Sequence, residues 1–188
     1  MTRHGQSLWQ VNGEAAGPDA PLSPLGELQA HCLGEYLWRY EHIDRIVTSD
    51  LQRAQRTAEI VASYLGLALE VDPNLREYAR WAEGWAPRPK LAWDMSPATP
   101  LSPAYAAFRE HMWQVLRHLA EPVAGEQTVL CVAHGGTIGV LLRILIGSDT
   151  PRLWSANTAL HCVEWREYAW MLQFINQLEH LPRAMRSW

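Results

Sequence analysis

Apolar side chains return at near-helical spacing along Leu25, Leu28, Cys32, Leu37 and Tyr40. That spacing describes one face of a helix. Ser23-Pro24 stands just ahead of them, an N-cap followed by proline at the first helical position. Residues 43–48 read as a short strand, and Ser49 opens a second predicted helix that runs to about Leu65, where Gly66 suits a C-terminal cap. Residues 67–71 form a second strand candidate. From Arg80 to Pro103 regular pattern fails: Pro87, Pro89, Pro97, Pro100 and Pro103 interrupt the chain, with Trp81, Trp85 and Trp93 scattered between them. A loop of that length in a compact domain is usually functional or mobile. Ser102-Pro103 then repeats the cap signature and opens a helix to about Ala120. Residues 128–133 read as a buried strand, followed by a helix from Gly136 to about Ile146. Residues 161–166 and 170–175 read as a hairpin turning at 167–169.

Strands alternating with helices predict an α/β fold, a three-layer α/β/α sandwich on a mostly parallel sheet, in one domain over residues 1–188. Ligands of such folds bind beyond the carboxyl ends of the strands. Composition narrows the function. The net charge is −4 at pH 7, so no basic footprint for nucleic acid is present, and an anion site here has to gather its cations locally. Cys32, Cys131 and Cys162 are odd in number and far apart, which predicts reduced core thiols rather than a disulfide framework or a zinc site. The start lacks the apolar run of a signal peptide, and the apolar stretch 138–146 contains Arg143 and is too short to span a bilayer. A cytoplasmic protein without membrane contact is expected. The sequence leaves the oligomeric state open and allows a homodimer.

Four groups of residues carry candidate chemistry. His134-Gly135-Gly136 follows a buried strand and opens a helix, where free N–H groups suit an anion. Arg3-His4-Gly5 stands at the start. Arg53 lies in the first turns of the helix behind Ser49, with Arg56 expected on its solvated face. Glu77 follows Leu75-Arg76. Each group alone has an ordinary structural explanation.

Together, Arg3-His4-Gly5-Gln6-Ser7, Leu22-Ser23…Gly26…Gln29-Ala30, Ser49-Asp50-Leu51…Arg53-Ala54…Thr57-Ala58, Leu75…Glu77 and His134-Gly135-Gly136 come in the order and spacing of the histidine phosphatase (phosphoglycerate-mutase-like) superfamily. The resemblance runs on to Asn157-Thr158 and His180-Leu181. It implies that His4 is the nucleophile that takes the phosphoryl group and that Glu77 is the general acid. Arg3, Arg53 and His134 would bind the phosphoryl oxygens, with Ser7 and Gln10 at positions that help in relatives. Gln10 departs from the usual Asn. Arg80 and Trp81 would form the substrate rim, and Arg80 stands where many relatives have Gly. No metal or other cofactor is implied.

The family also places a hydrophobic strand ahead of Arg-His-Gly, in the middle of the sheet. Only Met1 and Thr2 precede Arg3 here, so that strand is expected to be missing or truncated, through a misplaced start or a shortened form. The resemblance implies a phosphomonoester hydrolase acting on a small phosphorylated metabolite. The alternatives are a phosphoglycerate mutase, a class generally longer than this chain, a catalytically silent member that binds a phosphorylated ligand or a partner protein, and a hydrolase of protein phosphohistidine.

Overall fold

The computed structural model describes residues 1–77, 101–121, 127–149 and 151–188. The chain begins with a two-residue strand, β1 (Thr2–Arg3), and a short helix, α1 (Leu8–Asn12), that runs into a 3-10 turn at Gly13–Ala16. Neither the helix nor the turn shows in the apolar pattern, because none of their residues is buried. Helix α2 (Pro24–Tyr40) starts at its cap, with Ser23 Oγ accepting the Gly26 amide at 3.1 Å. Its buried face differs from the predicted stripe: Leu28 and Tyr40 are exposed, and Gly26, Gln29, Ala30, Leu33, Gly34 and Leu37 face inward. The small residues decide this, since a Cβ at Gly34 would stand 2.5 Å from the Tyr64 ring of the adjacent helix.

Strand β2 (Arg45–Thr48) leads into α3 (Gln52–Leu65), which closes on Gly66 in the left-handed conformation. The helix starts later than Ser49 because Asp19, from the preceding loop, accepts the Gln52 amide at 2.8 Å and caps it from outside. Then come β3 (Leu69–Val71), a 3-10 turn at Pro73–Leu75, α4 (Pro103–Ala120), β4 (Val129–Ala133) and α5 (Gly135–Ile146). Strands β5 (Leu160–Arg166) and β6 (Ala169–Gln177) close the chain as a hairpin. Glu167 and Tyr168 both have positive φ at its tip, as a two-residue turn of the primed kind requires. The predicted irregular stretch from Arg80 to Pro103 lies outside the described residues up to 100.

The strands order as β3-β2-β4-β1-β5-β6. The pairings from β3 to β1 are parallel, and those of β5 with β1 and β6 are antiparallel. Both faces are covered, as a parallel sheet requires. Ile46, Leu130 and Val132 pack with Leu33, Leu37, Ala58 and Val61 of α2 and α3. Their neighbours Val47, Cys131 and Ala133 point the other way, onto Met112, Leu116, Ile138 and Leu141 of α4 and α5.

Strand β1 is short but holds its central place. Thr2 pairs with Val132 on one side and Leu160 on the other, and Met1 exchanges backbone hydrogen bonds with His161 at 2.8 and 2.9 Å. The strand is thus present but cut to two residues, within the expectation of a missing or truncated first strand, and it pairs with β4 and β5 on either side. All three cysteines are free thiols, but only Cys131 is fully buried. Among the described residues no helix is long and apolar enough to cross a membrane.

Candidate active site

The parallel strands deliver the predicted residues to one edge of the sheet. His4 leaves β1, its amide donating to Ala133 O at 3.0 Å. His134 leaves β4 and caps α5. Arg53 sits in the first turn of α3, and Glu77 follows the 3-10 turn behind β3. The loop after His4 is fixed by backbone contacts: Gly5 N donates to Thr57 Oγ1 at 3.0 Å and Gln6 N to Gln29 Oε1 at 2.8 Å. Asn157 Nδ2 donates to the His4 carbonyl at 3.0 Å.

These bonds set the chemistry of His4. Its Nδ1 lies 2.6 Å from Gly5 O, and a carbonyl only accepts, so Nδ1 carries the proton. The lone pair is left on Nε2, where Arg53 Nε donates at 3.2 Å. The imidazole is buried, and its pKa is held well below the usual histidine value, first by burial and then by His134, Arg3 and Arg53. His4 is therefore a neutral imidazole with an available lone pair.

His134 stacks obliquely against it, ring centroids 5.1 Å apart, and is also kept neutral by burial and the two arginines. Its Nε2 lies 2.9 Å from Ser49 Oγ. Ser49 Oγ already accepts from the Leu51 amide at 3.3 Å. The hydroxyl can donate to His134 Nε2 or accept from it, and the other ring nitrogen, Nδ1, makes no hydrogen bond among the described residues. Arg3 Nε is likewise buried and meets no acceptor among them. A buried donor without an acceptor costs about 1–3 kcal/mol.

Arg3 Nη1 donates to Ser155 O at 2.6 Å, and burial lowers its pKa to about 10, opposed by Glu77 and aided by Arg53. Arg53 Nη1 donates to Pro18 O at 3.1 Å, and burial lowers its pKa too, against Glu77 and Asp19. The positive charge of the site thus belongs to the two arginines, with both histidines neutral. Glu77 Oε2 accepts from Gly136 N at the start of α5, at 3.3 Å. Its segment is held by Thr137 Oγ1, which donates to Arg76 O at 2.9 Å.

Arg3 and Glu77 line a cavity of about 240 Å³ that continues along Gly135 and Gly136. Ser7 is buried beside this group. Gln10 is engaged at both ends of its amide: Oε1 accepts from Ser7 N at 3.0 Å and Asn157 Nδ2 at 3.1 Å, and Nε2 donates to Asn157 Oδ1 and Trp188 O. Arg56 is on the surface, paired with Glu27. Arg80 and Trp81 lie outside the described residues. Ser49, Ser155 and Asn157 were not singled out by sequence as members of the site. Ser49 has a signal, its place directly behind a strand, but nothing marks Ser155, which acts through its carbonyl. Among the described residues no group of three or more His, Cys, Asp and Glu side chains is placed to hold a metal ion.

A neutral imidazole next to Arg53, with Arg3 and Glu77 lining the adjoining cavity, supplies the kinds of group that phosphoryl transfer uses. The chain is similar to several known proteins. A phosphoglycerate mutase homologue, GpmB of Yersinia enterocolitica, is 33% identical over 91% of this chain and 86% of its own length. A mycobacterial glucosyl-3-phosphoglycerate phosphatase solved with VO3 shares 26% identity, with a TM-score of 0.65 over 94% of this chain and 97% of its own. The fold is also that of a phosphoserine phosphatase from Entamoeba histolytica, with a TM-score of 0.72 over 96% and 97% of the two chains at 23% identity. The family model of the histidine phosphatase superfamily, branch 1, matches residues 1–178, and the chain belongs to that superfamily.

Proposed function

We propose that the protein is a phosphomonoester hydrolase that works through a phosphohistidine at His4. The observation that carries this reading is the fixed tautomer of His4, with Nδ1 bound to Gly5 O at 2.6 Å and the Nε2 lone pair beside Arg53. Substrate phosphate draws Arg53 off Nε2 and onto a phosphoryl oxygen, freeing the lone pair. Nε2 attacks phosphorus, the P–O ester bond breaks, and the leaving oxygen takes the proton of the Glu77 carboxyl. Arg3 Nε and His134 Nδ1, buried nitrogens that make no hydrogen bond among the described residues, hold the equatorial oxygens as charge spreads over them. Gln10, which lines the cavity, holds Ser7 and Asn157 by hydrogen bonds, and Ser7 is proposed to help bind the phosphate. A water then attacks the phosphohistidine and gives its proton to the Glu77 carboxylate, the P–N bond breaks, and inorganic phosphate leaves with His4 restored. Arg80 and Trp81 are the proposed rim of the substrate entrance.

The test is turnover of phosphomonoesters in the presence of chelator, together with trapping of the intermediate. Wild type mixed with radiolabelled substrate and quenched in alkali should retain label on one histidine. The His4→Ala variant should retain none and lose turnover by at least about a thousandfold. A variant that keeps both label and rate would defeat the assignment. The GpmB homologues favour a second reading, a phosphoglycerate mutase. That reading requires the labelled enzyme to return its phosphoryl group to a glycerate acceptor faster than to water, which the same quench experiment with added acceptor measures.

A further inference from the structure

The cavity that begins at Arg3 and Glu77 does not stay polar. Its lining also includes Trp9, Trp154 and Trp188, together with Val140 and Leu153. Each indole is about half exposed, at 48%, 55% and 58%. Large apolar side chains gathered around a concavity next to a polar centre mark a binding site rather than ordinary surface. The three are tied to the phosphate end by short links. Trp9 follows Ser7 by two residues, and Trp154 precedes Ser155, whose carbonyl holds Arg3. The Trp188 carbonyl accepts from Gln10 at 2.9 Å. The backbone that carries these side chains is thus joined to the phosphate end of the cavity.

The cations on this cavity among the described residues are Arg3 and Arg143. Arg143 is buried, with Nε donating to Pro151 O at 2.9 Å and Nη1 to the Tyr105 hydroxyl at 3.3 Å. It braces the wall. A carboxylate on the leaving alcohol would lose water against indole faces, a cost that an apolar ring avoids. We infer that the leaving-group side of the site takes a flat, largely apolar ring system, so that the substrates are phosphate monoesters of aromatic or ring-bearing alcohols. This deepens the hydrolase reading and rests on it.

The experiment compares naphthyl phosphate, phenyl phosphate and 3-phosphoglycerate. Each is assayed as a substrate of wild type, and each is titrated calorimetrically into His4→Ala. Naphthyl phosphate should exceed phenyl phosphate in kcat/KM by about tenfold, through KM, as expected for burial of a second ring. It should also bind His4→Ala at least about tenfold more tightly than 3-phosphoglycerate. The naphthyl-to-phenyl ratio should collapse toward one in Trp154→Ala and largely survive in Trp154→Phe, the variant that decides if the alanine form melts early. Turnover of all three esters with no ring preference would overturn the subsite and leave the hydrolase reading intact. No turnover, with ring-selective binding retained, would support the subsite and sink the hydrolase reading. Tightest binding of 3-phosphoglycerate, or a ratio unmoved in both Trp154 variants, would overturn the subsite.

Discussion

An imidazole in neutral water is already mostly uncharged, and enclosing His4 with two guanidiniums and a second imidazole removes the protonated fraction that remains. Nucleophilicity is then available well below the usual histidine range, and the group that the first step needs in its protonated form is the general acid. Glu77 is the candidate. It must enter the first step protonated, and its value lies in protonating a poor leaving group. Glu77→Gln keeps the hydrogen-bonding capacity toward Gly136 and removes that proton transfer. We expect it to lower kcat/KM about a hundredfold or more for alkyl phosphates and less than about tenfold for nitrophenyl phosphate, which leaves without help. The dependence of log kcat/KM on leaving-group pKa should steepen accordingly, and equal slowing across the series would remove Glu77 from the role of acid. The candidate residues of this cluster were picked out of the chain by the resemblance of five short motifs in order, each ordinary by itself. Which imidazole nitrogen is free was not legible there, since it depends on Gly5 O and on Ser49, partners that only the folded backbone brings near.

The contact between the first loop and α2 shows how an element can depend on two missing side chains. A Cβ at Gly26 would stand 2.0 Å from Gln6 O, and one at Gly5 would stand 2.5 Å from Gly26 O. Backbone meets backbone there, so a methyl group has no flexible neighbour to displace. Gly26→Ala should lower stability by about 3 kcal/mol despite the better helix propensity of alanine, read as a drop in the urea midpoint at unchanged slope. Gly135→Ala is the contrast: its Cβ would find Arg3 at 3.6 Å, an ordinary contact, and stability should change by less than about 1 kcal/mol. Equal losses in the two variants would show that propensity, and not the close approach, governs both. The same contact explains part of what sequence reasoning misread. Leu28 and Tyr40 were placed on the core stripe of α2 because they are large and apolar, yet the face that packs is built from Gly26, Ala30 and Gly34, where small size lets the first loop approach at Gly26 and α3 at Ala30 and Gly34. Caps at Ser23, Gly66 and Ser102 were readable because they are local. The cap of α3 was not, because Asp19 comes from another loop.

For the molecule as a whole, three buried histidines and the partly buried His180 make stability depend on pH. Burial lowers the pKa of His4 and His134 well below the ordinary value of 6.5, that of His161 to about 3 and that of His180 to about 4. Each is built into the fold by hydrogen bonds as a neutral ring. His161 Nδ1 accepts from the Asn176 amide at 3.2 Å, so its Nε2 donates to Ser155 Oγ at 2.8 Å, and His180 Nε2 lies 3.1 Å from Thr158 Oγ1. Above pH 6.5 folded and unfolded chains both hold these rings uncharged, and the linkage contributes no slope. As pH falls below 6.5 the unfolded chain binds protons that the folded chain refuses, so the unfolded state gains and stability declines. For His180 the decline ends only below about pH 4, and for His161 below about pH 3. Each such ring costs about 1.4 kcal/mol per pH unit across its window, against a net stability of about 5–15 kcal/mol for a domain. The thermal midpoint followed by circular dichroism should therefore fall progressively below pH 6.5, with cooperative unfolding at room temperature by about pH 4.5. The surface ion pairs of Asp50 with Arg76 and Glu70 with Arg45 would weaken only near the carboxylate range and contribute little, so a loss that begins between pH 6.5 and 5.5 belongs to the histidines. A midpoint that held level down to pH 5 would mean that these rings take up protons inside the fold, and His4 would then be cationic under conditions where its lone pair has to be free.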